Sequence, residues 1–145
     1  MLTGPQKYDL TLTPTSYSPE KKFSGSCTKK VPKLYVVVAE GQIVYVGVTR
    51  QSMSNRFRYG FKADGRNGYH GYAWRHKHTK ANLYVWAAAA DLSLLDVETI
   101  EAEVVFLIRK STGAWPACQT EIHFHQSTEA QRDAAAEVLK AIAVA

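Results

Sequence analysis

The chain has few of the features that mark secreted, membrane-spanning or thiolate-metal proteins. Among its 145 residues are only two cysteines, Cys27 and Cys118, which form no CxxC pair and no disulfide framework. No apolar run is long enough to cross a bilayer, and residues 1–5 lack the basic and then apolar pattern of a signal peptide. These absences predict a cytoplasmic protein and disfavour a metal site built on thiolates.

The common motifs of nucleotide binding and ester hydrolysis are also missing. There is no nucleophile elbow, P-loop or dinucleotide fingerprint, no internal repeat and no low-complexity tract. The histidine pairs at 76 and 78 and at 123 and 125 lack a third ligand at a recurring zinc spacing. We therefore expect structural or phosphate-contacting roles for these histidines.

The composition is that of an ordinary globular domain, but its charge is unevenly spread. The chain is 46% apolar and 21% charged, which at this length predicts one domain with a real core. Residues 36–80 carry a net charge of +6 and residues 91–145 a net charge of −5. A basic region beside an acidic remainder favours a polyanionic partner such as nucleic acid, with chance clustering on a solvated surface as the alternative.

Two apolar runs near the middle of the chain predict a β-hairpin. Residues 34–39 and 43–48 are rich in valine, each carries one tyrosine, and they flank a glycine-containing tip at residues 40–42. Residues 1–32 are rich in Thr, Ser, Pro, Gly and Lys and predict an arm or wrapping loop, in which residues 10–12 could form a short edge strand.

Basic and aromatic residues are interleaved after the hairpin. Ser52 or Ser54 can cap a short helix that ends at Arg58, before Tyr59-Gly60 breaks it, and residues 60–72 then form a glycine-rich loop. Such interleaving suits phosphate neutralisation and stacking on bases, the alternative being a surface loop whose aromatics pack on the fold. The predicted DNA-contacting residues are Arg50, Arg58, Lys62, Arg66, His70, Arg75 and Lys77.

The second half of the chain predicts one more strand and two helices. The strand covers residues 83–87, and a helix over 97–110, with Asp96 as its cap, ends at Gly113. The apolar stripe of this helix has Glu101 and Glu103 on its opposite flanks. Residues 119–125 read as an extended segment, and a capped helix follows from residue 127.

Taken in order, these residues resemble the GIY-YIG nucleases. The similarity lies in Leu34–Val36, Val44–Gly47, Arg56 on the following helix, a glutamate on a later helix, and Pro116 with an amide three residues on at Gln119. The order strand-strand-helix-strand-helix also matches the family. The resemblance implies an α/β (α+β) fold with a three-stranded antiparallel sheet flanked by helices. It divides the chain into an arm (1–32), a catalytic core (33–126) and a C-terminal helix on the same domain (127–145).

The chain departs from the family pattern at three places. Its first motif keeps only the tyrosine of Gly-Ile-Tyr, Gln119 stands where many members have asparagine, and Gly60 stands where some have a histidine. A histidine from the nearby loop, at residue 70, 76 or 78, is a candidate substitute for the missing one. Among the branches of the family, the chain looks most like the compact type II restriction endonucleases.

The resemblance assigns Tyr35 to water activation as a general base and Tyr45 to the orientation of water or phosphate. A phenol with a pKa of about 10 is a poor base at neutral pH, so nearby cations must favour its phenolate. Arg56 can do so while gripping the phosphate, and Gly47 allows close backbone approach.

The resemblance also implies a bound Mg²⁺ (or Mn²⁺). Glu103 is the preferred ligand because residues 106–108 follow it at the family's spacing, Glu101 is the reserve, and Gln119 would brace the site. The implied activity is site-specific hydrolysis of duplex DNA by a homodimer, leaving 5′-phosphate and 3′-OH ends. The alternatives are a weakly specific or structure-directed nuclease and a non-catalytic nucleic-acid-binding module.

Overall fold

A five-stranded antiparallel sheet runs through the centre of the molecule. A computed structural model describes residues 1–66, 69–117 and 126–144. The strands are β1 (Leu2–Thr13), β2 (Ser16–Pro19), β3 (Lys33–Ala39), β4 (Gln42–Thr49) and β5 (Lys80–Ala88). They lie in the order β2-β1-β5-β3-β4, and every neighbouring pair is antiparallel. The α+β class is confirmed, and the prediction of a three-stranded sheet is wrong.

The two additional strands come from the segment that was predicted to be an arm. β1 pairs with β5 along most of its length, so residues 1–19 belong to the same sheet as the hairpin. The buried residues of β1 are Tyr8, Leu10 and Leu12, which alternate with exposed polar residues. This period of two is the mark of a half-buried strand, although the Thr- and Pro-rich composition obscures it.

The predicted hairpin is present as β3 and β4. Compared with the prediction, β3 begins one residue earlier and β4 is one residue longer at each end. Tyr35 on β3 lies opposite Gly47 on β4. Glu40 and Gly41 form the tip with φ values of 53° and 75°. Two consecutive positive φ angles are typical of the tight turns that match the twist of a hairpin.

The sheet is covered on both faces, and each face has its own apolar core. Tyr35 and Val37 point to the face covered by the helix α1 (Met53–Lys62), where Phe57 and Trp74 are also buried. Leu34 and Val36 point to the other face, against the helices α2 (Leu94–Thr112) and α3 (Glu129–Val144). Because successive strand residues alternate between faces, β3 contributes to both cores.

The helices differ from the prediction mainly at their ends. α1 is capped by Ser52 but continues through Tyr59-Gly60 to Lys62 instead of ending at Arg58. α2 begins at Leu94 with Ser93 as its cap; Asp96 is the third helical residue, and its carboxylate accepts hydrogen bonds from Ser93 in a capping box. Gly113 ends α2 with a φ of 82°, as the sequence predicted.

The C-terminal helix α3 forms as predicted and packs against α2. Its start is fixed by reciprocal hydrogen bonds between Thr128 and Gln131, and Ala135 and Val138 are buried in the core on the α2 side. The extended segment predicted at 119–125 lies outside the described residues. No helix in the described part of the chain is both long and apolar enough to span a membrane.

Candidate active site

The hairpin brings Tyr35 and Tyr45 side by side on the face covered by α1. Their ring centroids are 5.9 Å apart. Gly47 lies beneath both rings: a Cβ there would approach Tyr35 Cζ to 2.5 Å and Tyr45 Cε2 to 2.7 Å. Any larger residue at position 47 would push the two tyrosines out of contact, so this glycine is required by the packing of the pair.

A third tyrosine, Tyr72, completes the cluster from the loop before β5. The Tyr35 and Tyr72 hydroxyl oxygens are 2.8 Å apart, and the Tyr35 and Tyr45 hydroxyls are also hydrogen-bonded. Tyr35 and Tyr72 are buried, whereas Tyr45 is half-buried. The three hydroxyls therefore form a chain, which we call the tyrosine chain, and Tyr45 is its end nearest to solvent.

The positively charged guanidinium of Arg56 lies over the tyrosine chain. It comes from the first turn of α1, and its Cζ lies 4.7 Å from the centre of the Tyr72 ring. Arg56 Nη1 also donates a hydrogen bond of 2.7 Å to the exposed Tyr69 hydroxyl. The guanidinium is thereby fixed in place beside the tyrosines but remains only half-buried.

Burial controls the protonation of the three tyrosines. Desolvation raises the pKa of each of Tyr35, Tyr45 and Tyr72 above the usual value of 10, and the charge of Arg56 acts in the opposite direction on all three. Arg56 thus favours the phenolates, as the sequence predicted, but burial outweighs it. All three tyrosines are neutral phenols at physiological pH.

The negative charge of Glu101, one of the two candidate carboxylates, acts on the Tyr45 end of the tyrosine chain. The pKa of Tyr45 is raised mainly by burial, and the negative charge of Glu101 is among the further causes that raise it. Both glutamates are half-buried on α2. The electrostatic effect on Tyr45 supports the reserve ligand Glu101, and the preference for Glu103 stays a prediction from sequence spacing.

The donor set around Glu101 fits a hard divalent ion that retains most of its waters. The described residues contain no group of three or more His, Cys, Asp or Glu side chains that could enclose a metal. A carboxylate close to a half-buried phenol supplies oxygen donors, and Mg²⁺ commonly takes only one or two protein carboxylates.

Most of the predicted DNA-contacting residues are exposed. Those with exposed side chains are Arg50, Arg58, Lys62, Arg66, His70 and Lys77. Arg75 instead is buried, with 6% of its surface exposed, and its guanidinium donates hydrogen bonds to the carbonyl oxygens of Gly60 and Ala63 at the end of α1. Arg75 therefore caps the end of α1, and its buried guanidinium cannot contact a phosphate.

Among the described residues, the three candidate histidines lie beside groups other than the tyrosine chain. The His70 ring lies near Gly65, His76 accepts a hydrogen bond from Arg75, and His78 Nδ1 lies 3.6 Å from Glu40 Oε1. Sequence reasoning missed Tyr72 and Tyr69, which no motif marks. Gln119 lies outside the described residues, and Pro116 is buried after α2.

Comparison with known proteins finds no relative of this chain. The chain matches no family model, no characterised protein and no solved structure at a significant level. The likeness to the GIY-YIG nucleases therefore rests on the ordered residues of the sequence.

Proposed function

We propose that the chain is a Mg²⁺-dependent DNA endonuclease of the GIY-YIG type, acting as a site-specific, restriction-type enzyme. One observation carries the proposal. Tyr35, Tyr45 and Arg56, from the consecutive elements β3, β4 and α1, converge on one site, and the charge of Glu101 on α2 raises the pKa of Tyr45 there. Phosphodiester hydrolysis needs a proton acceptor, a fixed cation and a metal ligand, and this cluster offers one of each.

The tyrosine chain supplies a route for the proton of the attacking water. Tyr45 is the member nearest to solvent, so the water would contact its hydroxyl. The chain can accept this proton only after one of its hydroxyl protons has left to solvent through Tyr45; Tyr35, which is hydrogen-bonded to both Tyr45 and Tyr72, then shares the negative charge, and the charge of Arg56 stabilises it. Tyr35, the general base implied by the resemblance, would then act through Tyr45.

Arg56 would hold the scissile phosphate. Its guanidinium is positioned by the Tyr72 ring and the Tyr69 hydroxyl, so little side-chain entropy is lost on binding. A bidentate grip on two phosphoryl oxygens neutralises charge that grows as the water attacks. The same positive charge lowers the cost of a phenolate on the tyrosine chain.

Glu101 would hold Mg²⁺, with Glu103 as the alternative ligand. When bound, the ion would supply Lewis-acid stabilisation of the leaving 3′ oxygen, giving 5′-phosphate and 3′-OH ends. Gln119 would brace this side of the site. Because each chain has one such site, we propose a homodimer for cutting both strands of a duplex.

Incubation of the purified chain with plasmid DNA tests this proposal. With Mg²⁺ or Mn²⁺ we expect discrete fragments that disappear when a chelator is added. Smearing or nicking would replace the restriction-type assignment with a weakly specific or structure-directed nuclease. Intact plasmid under both conditions would overturn the nuclease assignment. Sequencing of the fragment ends from a defined genome would then read the target directly.

A non-catalytic nucleic-acid-binding module is the second candidate. The observation that favours it is the complete burial of Tyr35, whose raised pKa also suits a purely structural hydroxyl. This candidate predicts a gel shift without cleavage under every metal condition. The partial exposure of Tyr45 and Arg56, at the open end of the same chain, favours the nuclease.

A further inference from the structure

A second concave site lies beside α1, next to the tyrosine chain. It is a cavity of about 330 Å³, within the range of small-ligand pockets. We call it the basic cavity, and its lining includes Arg58, Tyr59, Lys62, Asp64, Arg66 and Tyr69.

Tyr69 joins the basic cavity to the proposed active site. Its ring lines the cavity, while its hydroxyl accepts the hydrogen bond from Arg56. On α1, Arg58 and Lys62 are four residues apart and share one side of the helix, whereas Arg56 points away from Arg58. One helix therefore presents Arg56 to the tyrosine chain and two further cations to the cavity.

The charge of the basic cavity suits a phosphate. Three cations line it, and the one carboxylate among them, Asp64, is paired with Arg66 at 2.9 Å and also accepts a bond from the Arg66 backbone. This pair orders the Arg66 side chain but leaves Arg58 and Lys62 uncompensated within the lining. The resulting net positive charge attracts the backbone of DNA.

The aromatic lining is not explained by a phosphate. Tyr59 is 63% exposed and Tyr69 is 42% exposed, so both keep much of their surface open to a ligand. A phosphate gains nothing from an aromatic ring, but a nucleobase can stack on it. In an intact duplex the bases are stacked on one another, and none could reach a ring inside a concave site.

We propose that the basic cavity binds one nucleotide of the DNA substrate after its base has left the stack, beside the phosphodiester held by Arg56. Arg58 and Lys62 would contact its phosphate, and Tyr59 and Tyr69 would stack on its base. This inference rests on the proposed function for the identity of the substrate. It adds that the substrate is locally unstacked when bound.

Binding measured without metal tests the inference independently of cleavage. Fluorescence anisotropy in chelator would compare a short duplex with the same duplex carrying one mismatched base pair. Because a mismatched base costs less to extrude, we expect wild type to bind the mismatched duplex about tenfold more tightly. Tyr59→Ala should remove most of this preference, whereas Lys62→Ala should weaken both complexes alike and reduce the salt dependence by about one charge.

Matched variants on α2 control for loss of an exposed aromatic or a cation. Phe106→Ala and Lys110→Ala remove exposed side chains away from the cavity lining and should leave both affinities unchanged. Equal binding of the two duplexes by wild type, or an unchanged preference in Tyr59→Ala, would overturn the inference. If the protein cuts plasmid but shows no preference for the mismatched duplex, the nuclease function stands and the nucleotide-binding role of the basic cavity is wrong. If it shows the Tyr59-dependent preference but does not cut, the role of the cavity stands and the nuclease function is wrong.

Discussion

The ring of Tyr72 lies against the backbone of Gly60 on α1. A Cβ at residue 60 would fall 2.0 Å from Tyr72 Cε2 and 2.3 Å from Cδ2. The space that a side chain at residue 60 would fill is therefore occupied by a tyrosine ring from another part of the chain. The same contact explains why α1 tolerates a glycine in its interior, and it sets the Tyr72 hydroxyl against Tyr35.

Gly60→Ala should destabilise the protein although alanine is the better helix former. The new methyl must displace the buried Tyr72 ring, and overpacking of this kind costs about 1–3 kcal/mol, more than the gain in helix propensity. The free energy of unfolding by urea measures the effect.

A double-mutant cycle identifies the cause of that loss. Gly60→Ala combined with Tyr72→Leu should be less destabilised than the sum of the two single variants, because the smaller side chain makes room for the methyl. Gly113→Ala serves as a control: nothing lies within 4 Å of its Cβ, so only its φ of 82° opposes the change. Additive losses in the cycle would contradict a clash between residues 60 and 72.

The sequence was sufficient to predict β3, β4, β5 and α3 because each is either strongly apolar or clearly capped. Of β1, only residues 10–12 were predicted to be extended, as a short edge strand, since three alternating positions, Tyr8, Leu10 and Leu12, mark it within a polar segment. Its stability as a strand comes from pairing with β5, a contact between residues 69 to 86 positions apart. Such non-local pairing leaves little trace in local composition.

Motif spacing located Tyr35, Tyr45 and Arg56, and the structure brings these three together. Tyr72 could not be found in this way, because its hydroxyl meets that of Tyr35, 37 positions earlier in the chain, only through the tertiary fold. Arg75 and Arg58 both belong to the basic stretch, yet Arg75 is buried against backbone carbonyls and Arg58 is exposed. Charge patterning cannot separate these two roles.

Tyr35→Phe should abolish most of the cleavage and leave the fold intact. Only a hydroxyl is removed, but the link between Tyr45 and Tyr72 is lost with it, and general-base contributions are worth about a hundred- to ten-thousand-fold in rate. Single-turnover cleavage of a plasmid measures the loss, with circular dichroism as the check on folding. A wild-type rate in this variant would make Tyr35 a packing residue.

Tyr72→Phe should shift the pH dependence of cleavage toward lower pH. Burial is the main cause of the raised pKa of Tyr35, and Tyr72 raises it further, through their hydrogen bond and because a phenolate on Tyr72 would repel a second one on Tyr35. Removal of that hydroxyl lowers the pKa of Tyr35, so the alkaline rise in rate should begin earlier. Tyr8→Phe is the control, because this buried hydroxyl bonds to Ser24 and Cys27, outside the site. An identical pH profile in Tyr72→Phe and wild type would exclude coupling through Tyr72.

Glu101→Gln should lose metal-dependent cleavage, and Glu103→Gln should retain most of it. The two residues lie on the same helix with similar exposure, so each is the matched control for the other. The charge of Glu101 raises the pKa of Tyr45, so loss of this charge should also lower the pKa of that tyrosine. Cleavage rates across a Mg²⁺ titration measure the first effect, and alkaline absorbance titration measures the second. The reverse order of activities would return the metal ligand to Glu103, as the sequence spacing predicts.

The free energy of unfolding should depend on the protonation of the buried Lys33, which lies outside the proposed active site. Lys33 begins β3, is fully buried, and donates hydrogen bonds to the carbonyl oxygens of Lys29 and Val31. Burial lowers its pKa from 10.5 to about 8, an effect that the nearby Cys27 partly opposes. Below pH 8 the lysine is charged in both the folded and unfolded states, so the full cost of burying that charge reduces the free energy of unfolding.

Comparison of wild type with Lys33→Met isolates this cost. Between about pH 8 and pH 10.5 the folded protein has lost the proton and the unfolded chain still holds it, so the contribution of Lys33 to stability rises with pH. The free energy of unfolding of Lys33→Met minus that of wild type should therefore decrease steadily across this window. Because tyrosines titrate in both proteins, the difference cancels their effect, and a Cys27→Ala background removes the one thiol coupled to Lys33. A difference that stays constant from neutral pH to pH 10 would show that the folded protein keeps the Lys33 ammonium charged.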